Sequence, residues 1–259
     1  MNKPYIINTH SHVNMLKNLP VEQAVKTCSN ENIIIIIPSY NNKSIFEVDE
    51  LTKQFDNVYG YVGVFPEEVK EFSDKTLSDM ETIIKNNKKI IGIGEVGLDY
   101  YWDKSFVDLQ KEVFIKQIEF ANEMNLPLNI HCREAFDDTL EILKQYNKNS
   151  VAIMHCFSGS IEFAKECIKQ GIYIALGGVV TFKNAVKVKE VASEIPLEYL
   201  LLETDDPYLT PVPHRGTENQ PSYVKLVAQE IAQIRGISTD EVASAATKNA
   251  LKIFNTLTF

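Results

Sequence analysis

The sequence predicts an α/β protein folded as a (β/α)8 TIM barrel, a single domain over residues 1–259. Three observations predict it. Short apolar, β-branched runs recur along the chain, helix-period patterns lie between them, and ionisable residues stand at the C-terminal ends of five of the runs. From His10 to Asp205 there are 195 residues in seven intervals, about 28 each. A barrel of about 250 residues has roughly 31 per unit.

The runs, in order, are "PYIINTH" near 4–10, "NIIIIIP" near 32–38, "VYGYVGVF" near 58–65 and "KIIGIGEVG" near 89–97. "LPLNIH" near 126–131, "VAIMHC" near 151–156, "GIYIALGG" near 171–178 and "LEYLLLETD" near 197–205 complete the set. Their apolarity is continuous rather than alternating, which suits parallel strands buried on both faces. Between them, Phe114, Ile118, Ala121 and Met124 mark one face of a helix. Phe136, Leu140, Leu143 and Tyr146 mark another, and Val224, Val227, Ala228, Ile231 and Ile234 a third. Strand and helix alternation gives the α/β class, although an open doubly wound sheet shares that pattern and periodicity alone does not close the barrel.

Length and composition narrow the function. With 44% hydrophobic residues the chain can bury a large core. Its longest apolar stretch, from Ile33, is too short to span a bilayer, and no basic, then apolar, leader opens the sequence. The expectation is a cytoplasmic protein without membrane attachment. Four cysteines without CxxC spacing (Cys28, Cys132, Cys156, Cys167) agree with a reducing compartment. A formal net charge of -9 argues against a broad basic nucleic-acid surface, but not against a nucleic-acid substrate held at one local site.

The ends of the runs carry the chemistry. His10 and His12 close the first, Glu95 the fourth, His131 the fifth, His155 the sixth and Asp205 the eighth. Barrel enzymes keep their catalytic groups at the C-terminal ends of strands. Four of the five histidines belong to this set; His214 does not. Alternation places His10 and His12 on one face, and does the same for Ile91, Ile93 and Glu95, for Val151, Ile153 and His155, and for Leu201, Glu203 and Asp205. Cys132 and Cys156, each one residue past a histidine, are then expected to point outward as packing thiols. Four imidazoles and two carboxylates at one mouth exceed what one tetrahedral ion uses, so two divalent ions are expected, with a carboxylate bridging them. Each histidine alone would be read as a hydrogen-bonded structural residue; the joint placement points to metal.

"GIGEVG" at 92–97 matches the dinucleotide-binding G-x-G-x-x-G letter for letter. The match is read as accidental. Glu95 would repel a pyrophosphate, and "LDYYWDKS" after Gly97 does not open a helix. No Walker A stretch, Gly-x-Ser-x-Gly elbow or Schiff-base lysine context appears.

Five segments, "NTHSHVN", "IGEVGLDYYWD", "NIHCREA", "MHCFSGS" and "LLETDDPYLTPVPHRG", together resemble the motifs of the TatD family of metal-dependent deoxyribonucleases, within the amidohydrolase-like (β/α)8 barrels. The resemblance implies one ion on His10, His12 and Asp205, another on His131 and His155, and Glu95 bridging both. It implies two divalent ions, Mg, Mn or Zn, with Mg favoured for nuclease activity, and DNA, or RNA, as substrate, with a DNA-repair role. Activated water would attack a terminal phosphodiester in 3′ to 5′ order, with Asp205 as general base beside Glu95. Arg133, His214 and Arg215 are candidates to grip phosphate, although loop salt bridges or caps are an equal reading of them. Tyr100, Tyr101 and Trp102 could stack on a base or pack against the barrel rim, and Asp99, Glu134 and Glu203 could support ligands from outside or sit in salt bridges or solvent. A monomer without an obligate protein partner is expected. Asn8 and Asn14 stand where the family commonly has Asp, and Asp206 where Ser or Ala is usual; Asn8 is expected to face the way His10 does, and Asp206 to add charge at the mouth. The alternatives are a bimetal hydrolase of an amide, lactone or aminoacyl ester, and a metal-holding barrel without turnover.

Overall fold

The computed structural model describes residues 6–255 and 257; Pro4 and Tyr5 of the first predicted run lie outside them. Eight parallel strands follow the eight apolar runs: β1 Ile6–Asn8, β2 Ile33–Pro38, β3 Val58–Val62, β4 Ile90–Asp99, β5 Leu128–Arg133, β6 Ala152–Met154, β7 Tyr173–Leu176 and β8 Leu200–Leu202. Each pairs with the next, and Asn8 opposite Leu202 joins the last to the first, closing the barrel. The predicted helical faces lie on α4 (Val107–Met124), α5 (Phe136–Tyr146) and α8 (Val224–Arg235). The other helices are α1 Val21–Asn30, α2 Asn42–Gln54, α3 Asp74–Asn86, α6 Ile161–Lys169, α7 Val186–Glu194 and α9 Thr239–Ile253.

Two apolar layers explain the continuous hydrophobicity of the strands. One side of each strand packs against the helices, through residues such as Ile35, Val62, Ile130 and Leu202 with Phe114, Leu143 and Val227. The other fills the barrel with Ile7, Ile36, Tyr61, Ile91, Ile153 and Leu201, and the end of α9 adds Phe254 and Leu257 beneath them. A parallel strand in this position buries both faces and tolerates polar residues only where the core ends. The Tyr61 hydroxyl donates to the Thr9 carbonyl (3.0 Å), which ties the interior to the segment carrying His10.

Strand β4 departs from simple alternation. Ile91 faces the barrel interior, whereas Ile93 packs in the helix-side layer, contrary to the expected shared face. Register shifts between Gly60 and Tyr61 of β3, and again between Ile93 and Val96, change the count. Glu95 therefore reaches the mouth by a local irregularity. The glycines beside it serve packing of β4 on β5: at Gly97, φ is +142° and a Cβ would lie 2.0 Å from the His131 carbonyl oxygen. The strand runs on to Asp99 with no helix at Gly97, so the resemblance to a dinucleotide turn is accidental.

Candidate metal centre and active site

The six predicted residues meet in one place, at the C-terminal mouth of the barrel. His10 and His12 follow β1, where Thr9 N–H donates to Leu202 O, Ser11 N–H to Ile36 O and His12 N–H to Asp206 O. Glu95 rises from β4, His131 from β5 and His155 just past β6. Asp205 follows β8 at φ +54°, and its N–H donates to His10 O (3.1 Å).

Glu95 divides the cluster in two. Its Oε2 lies 3.5 Å from His10 Nε2 and 3.6 Å from His12 Nε2, while its Oε1 lies 3.0 Å from His131 Nδ1 and 3.4 Å from His155 Nε2. Asp205 Oδ1 sits 3.8 Å from His10 Nε2 and 3.6 Å from His12 Nε2. Two compact sets of donors result, His10–His12–Asp205 and Glu95–His131–His155, each with its ligand atoms within 4.8 Å of one another.

Each inner imidazole but one is held from behind. His10 Nδ1 donates to Asn129 Oδ1 (2.8 Å), His131 Nε2 to Asp99 Oδ2 (2.8 Å) and His155 Nδ1 to Glu203 (3.2 Å to Oε2). Such partners fix the tautomer and aim the opposite nitrogen inward. Asp99 is itself gripped by α4: its N–H donates to Gln110 Oε1 and its carbonyl accepts from Gln110 Nε2. Glu203 also accepts the Cys156 N–H (2.6 Å). Asn129 is a residue that sequence reasoning missed, although it stands two before His131 and so shares its face. Glu134 takes no part; it is exposed and pairs with Lys104 (3.8 Å).

The donor set fits a cation. His10 commits its Nδ1 proton to Asn129, so its Nε2 turns a lone pair toward His12 Nε2 at 3.0 Å and toward carboxylate oxygens of Glu95 and Asp205. Burial holds His10 well below the ordinary imidazole value, and the neighbouring His155 adds to this; burial takes His12 down to about 4. Protons are thus poorly held on these two imidazoles, and their ring nitrogens remain as acceptors around one point. On the other side burial also disfavours charge, but hydrogen bonds from His131 to Asp99 and Glu95 raise it, and Glu203 and Glu95 raise His155 further. For Glu95 burial acts upward, yet His155 and His10 hold it well below the usual carboxylate range. Burial pushes Asp205 up to about 7.

A cavity of about 660 Å³ opens over the cluster. Phe65, Glu67, Trp102, Arg133, Phe157 and Tyr208 are among its lining residues. Arg133 places its guanidinium 3.7 Å from the Tyr101 ring centre and 5.4 Å from that of Trp102. Tyr100 instead donates its hydroxyl to Asp138 (2.7 Å). The other two sequence candidates sit away from this lining: His214 stacks on Tyr223 (4.5 Å between ring centres), and Arg215 lies over Phe182 and donates to Thr210 O (3.2 Å).

Three expectations are corrected. Asn8 does not face with His10; its Nδ2 donates to Thr204 Oγ1 and Pro221 O, and its Oδ1 accepts from the backbone N–H of His10 and of Thr204. It stitches β1 to β8. Asp206 is fully buried rather than at the mouth, accepting from Thr204 Oγ1, and burial pushes it up to about 7. Cys156 does not point outward: at φ +44° it turns back and lines the cavity, because a left-handed residue breaks strand alternation. Cys132 packs against the helix-side layer, although it too borders the cavity. Asn14, partly buried, lies in the short turn Val13–Met15 that follows His12.

Residues 7–255 match the profile of a family described as TatD related DNase. The chain belongs to the TatD family. It is 42% identical over 252 residues to an uncharacterized metal-dependent hydrolase, YabD, of Bacillus subtilis, covering 96% of this chain and 98% of that one. It is 37% identical to YcfH of Escherichia coli K12, also an uncharacterized metal-dependent hydrolase, covering 80% of this chain and 77% of the relative. Among solved structures, YJJV, a TatD homolog from Escherichia coli K12, superposes with a TM-score of 0.89 at 27% identity, covering 97% and 98% of the two chains. A dihydroorotase shares the fold at a TM-score of 0.65 and 17% identity. This TatD-family chain is a metal-dependent hydrolase. Among its described residues no helix is long and apolar enough to cross a membrane.

Proposed function

We propose that the protein is a two-metal phosphodiesterase that removes nucleotides from the 3′ end of DNA, and of RNA where presented. The observation that carries the reading is the division of Glu95: each carboxylate oxygen faces a different pair of imidazoles. His10, His12 and Asp205 would hold one divalent ion and His131 and His155 the other, with Glu95 between them. A divalent ion held by these residues, Mg or a similar one, would supply the Lewis acidity that activates water near neutral pH and offsets the charge of a phosphodiester.

The chain's own residues do the rest. Asn129, Asp99 and Glu203 keep three imidazoles aimed inward. Asp205 stands at the edge of the cavity with its carboxyl near 7, suited to taking a proton from the attacking water at physiological pH. Arg133 makes no ion pair among the described residues, so its planar donors are free to take two phosphate oxygens, while the rings beneath hold the guanidinium in place. Trp102 at the cavity wall offers a face to a base. The four cysteines are unpaired, which suits action in the cytoplasm.

The test is metal-loaded protein on 3′-labelled single-stranded DNA beside a panel of amides, lactones and aminoacyl esters. Release of labelled mononucleotide first, abolished in Glu95→Gln, is expected. Hydrolysis of the panel with DNA untouched would transfer the same centre to a different electrophile, and equal nuclease rates for wild type and Glu95→Gln would mean that the barrel does not turn over DNA.

A further inference from the structure

The rim of the cavity carries its charge unevenly. In a closed barrel with the strands in chain order, β7 and β8 stand across from β3 and β4. The segment after β3 holds Glu67, Glu68 and Glu71, and the one after β5 holds Asp137; none of the four makes an ion pair among the described residues. Lys70 and Lys104 on that side are already paired with Asp103 and Glu134, which leaves Arg133 as its unpaired cation. Opposite, residues 177–189 and 207–217 contain no carboxylate at all, in a chain with 35 acidic residues among 259.

Those two stretches form one ledge. Val212 N–H donates to Thr181 Oγ1 (2.9 Å), and Gly178 lies so close to the Leu209 carbonyl that a Cβ would overlap it. The ledge reaches the cavity through Val179, Val188, Tyr208 and Leu209. Lys187, beside Val188, and Lys183 are both exposed. Lys189 pairs with Glu230 (3.0 Å), whereas these two make no ion pair among the described residues. On the same ledge Val186 and Tyr208 stand 72% and 57% exposed.

We propose that the strand upstream of the scissile bond leaves the cavity over this ledge, with successive phosphates on Lys183 and Lys187 and a base on Tyr208, while the 3′-terminal nucleotide lies across the mouth beside Arg133 and Trp102. The inference rests on the phosphodiesterase reading. A strand with a charge at every step is repelled from the β3 side and drawn to the side without carboxylates. Lysines are flexible point charges, and an exposed ring stacks on any base, so both suit a strand that advances one nucleotide per cycle. A short cationic ledge also lets a chain of net charge -9 hold an anionic polymer at one place.

The experiment measures mononucleotide release by the metal-loaded full chain from single-stranded oligothymidylates of three and of twelve nucleotides. Fluorescence anisotropy follows binding of a hydrolysis-resistant phosphorothioate strand of the longer length across KCl concentration. Wild-type KM is expected to fall about tenfold from the short strand to the long one. The double variant Lys183→Gln, Lys187→Gln is expected to lose most of that gain while its KM for the short strand stays within about twofold. Its slope of log Kd against log salt becomes shallower by about 1.4, two phosphate contacts at about 0.7 each. Tyr208→Ala raises KM for the long strand and Tyr208→Phe does not. Lys252→Gln, at the end of α9 on the far side of the barrel, is the charge control and changes neither reading. An unchanged length gain and salt slope in the double variant, or no gain with length in wild type, overturns the ledge while the nuclease stands. No release from either strand by wild type overturns the nuclease reading, and the ledge with it.

Discussion

Replacing Glu203 by Gln probes the support behind the metal centre without touching a ligand. The carboxylate is fully buried and accepts from His155 Nδ1 and from the Cys156 N–H. Gln keeps the shape and one acceptor oxygen, but its amide NH₂ must face one of the two donors, and the charge that raises His155 against the opposing pull of burial is gone. A buried hydrogen bond to a charged group contributes about 1.5–3 kcal/mol. Residues that orient a metal-bound histidine from outside typically govern about 10–100-fold in metal affinity, roughly 1.4–2.7 kcal/mol. Competition with a fluorescent chelator for Zn²⁺ or Mn²⁺ reads this directly, with Glu141→Gln on the exposed side of α5 as control. Glu203→Gln is expected to weaken binding by at least about tenfold with unchanged circular dichroism. An affinity within about twofold of wild type would refute the orienting role.

Other predictions follow from the same geometry. Asp205, raised to about 7, is protonated in the ion-free protein below that pH; a cation must displace that proton, so apparent metal affinity falls as pH drops, by about fivefold between pH 7 and 6 from this group alone, measurable by chelator competition across pH. Gly97→Ala forces a Cβ against the His131 carbonyl at a positive φ and is expected to destabilise by about 3 kcal/mol or more in urea unfolding. Arg133→Ala is expected to raise KM for DNA about tenfold with metal content unchanged, since one charged hydrogen-bonding group contributes about 1.4 kcal/mol or more; Arg215→Ala, whose guanidinium sits on Phe182, is expected to leave KM within about twofold, and steady-state kinetics on a 3′-labelled oligonucleotide separates the two.

Much of the molecule was legible because burial imposes a simple grammar on a parallel barrel. Continuous apolar runs can be nothing but strands or buried helices, and a histidine or carboxylate at the end of such a run has to be where the core stops. His10, His12, His131, His155 and Asp205 followed from that, and a shared mouth followed from eight units in order. Glu95 reaches the mouth by a different route from the one strand alternation predicts, because the register shifts in β4 that move Ile93 to the helix side leave no mark in hydrophobic periodicity. Cys156 was misplaced for a related reason: one left-handed residue reverses a side chain, and Cys, unlike Gly, Asn or Asp, does not advertise such a conformation in sequence. Asp99 and Glu203 were visible as acidic neighbours, but their roles depend on which imidazole nitrogen they meet, a distance between residues 32 and 48 positions apart in the chain. Asn129 looked like an ordinary polar interruption of β5, although its position two residues before His131 carried the information. His214 and Arg215 show the opposite failure, since charge in a loop near the mouth does not say which way the loop folds; Arg215 turned onto Phe182 and His214 onto Tyr223.

The central claim is that a single carboxylate divides the cluster between two cations. A crystal soaked in Mn²⁺ and measured at the manganese absorption edge tests it most directly. Two anomalous peaks on either side of the Glu95 carboxylate, one bounded by His10, His12 and Asp205 and the other by His131 and His155, are predicted; no peak, or density lying away from Glu95, would contradict it.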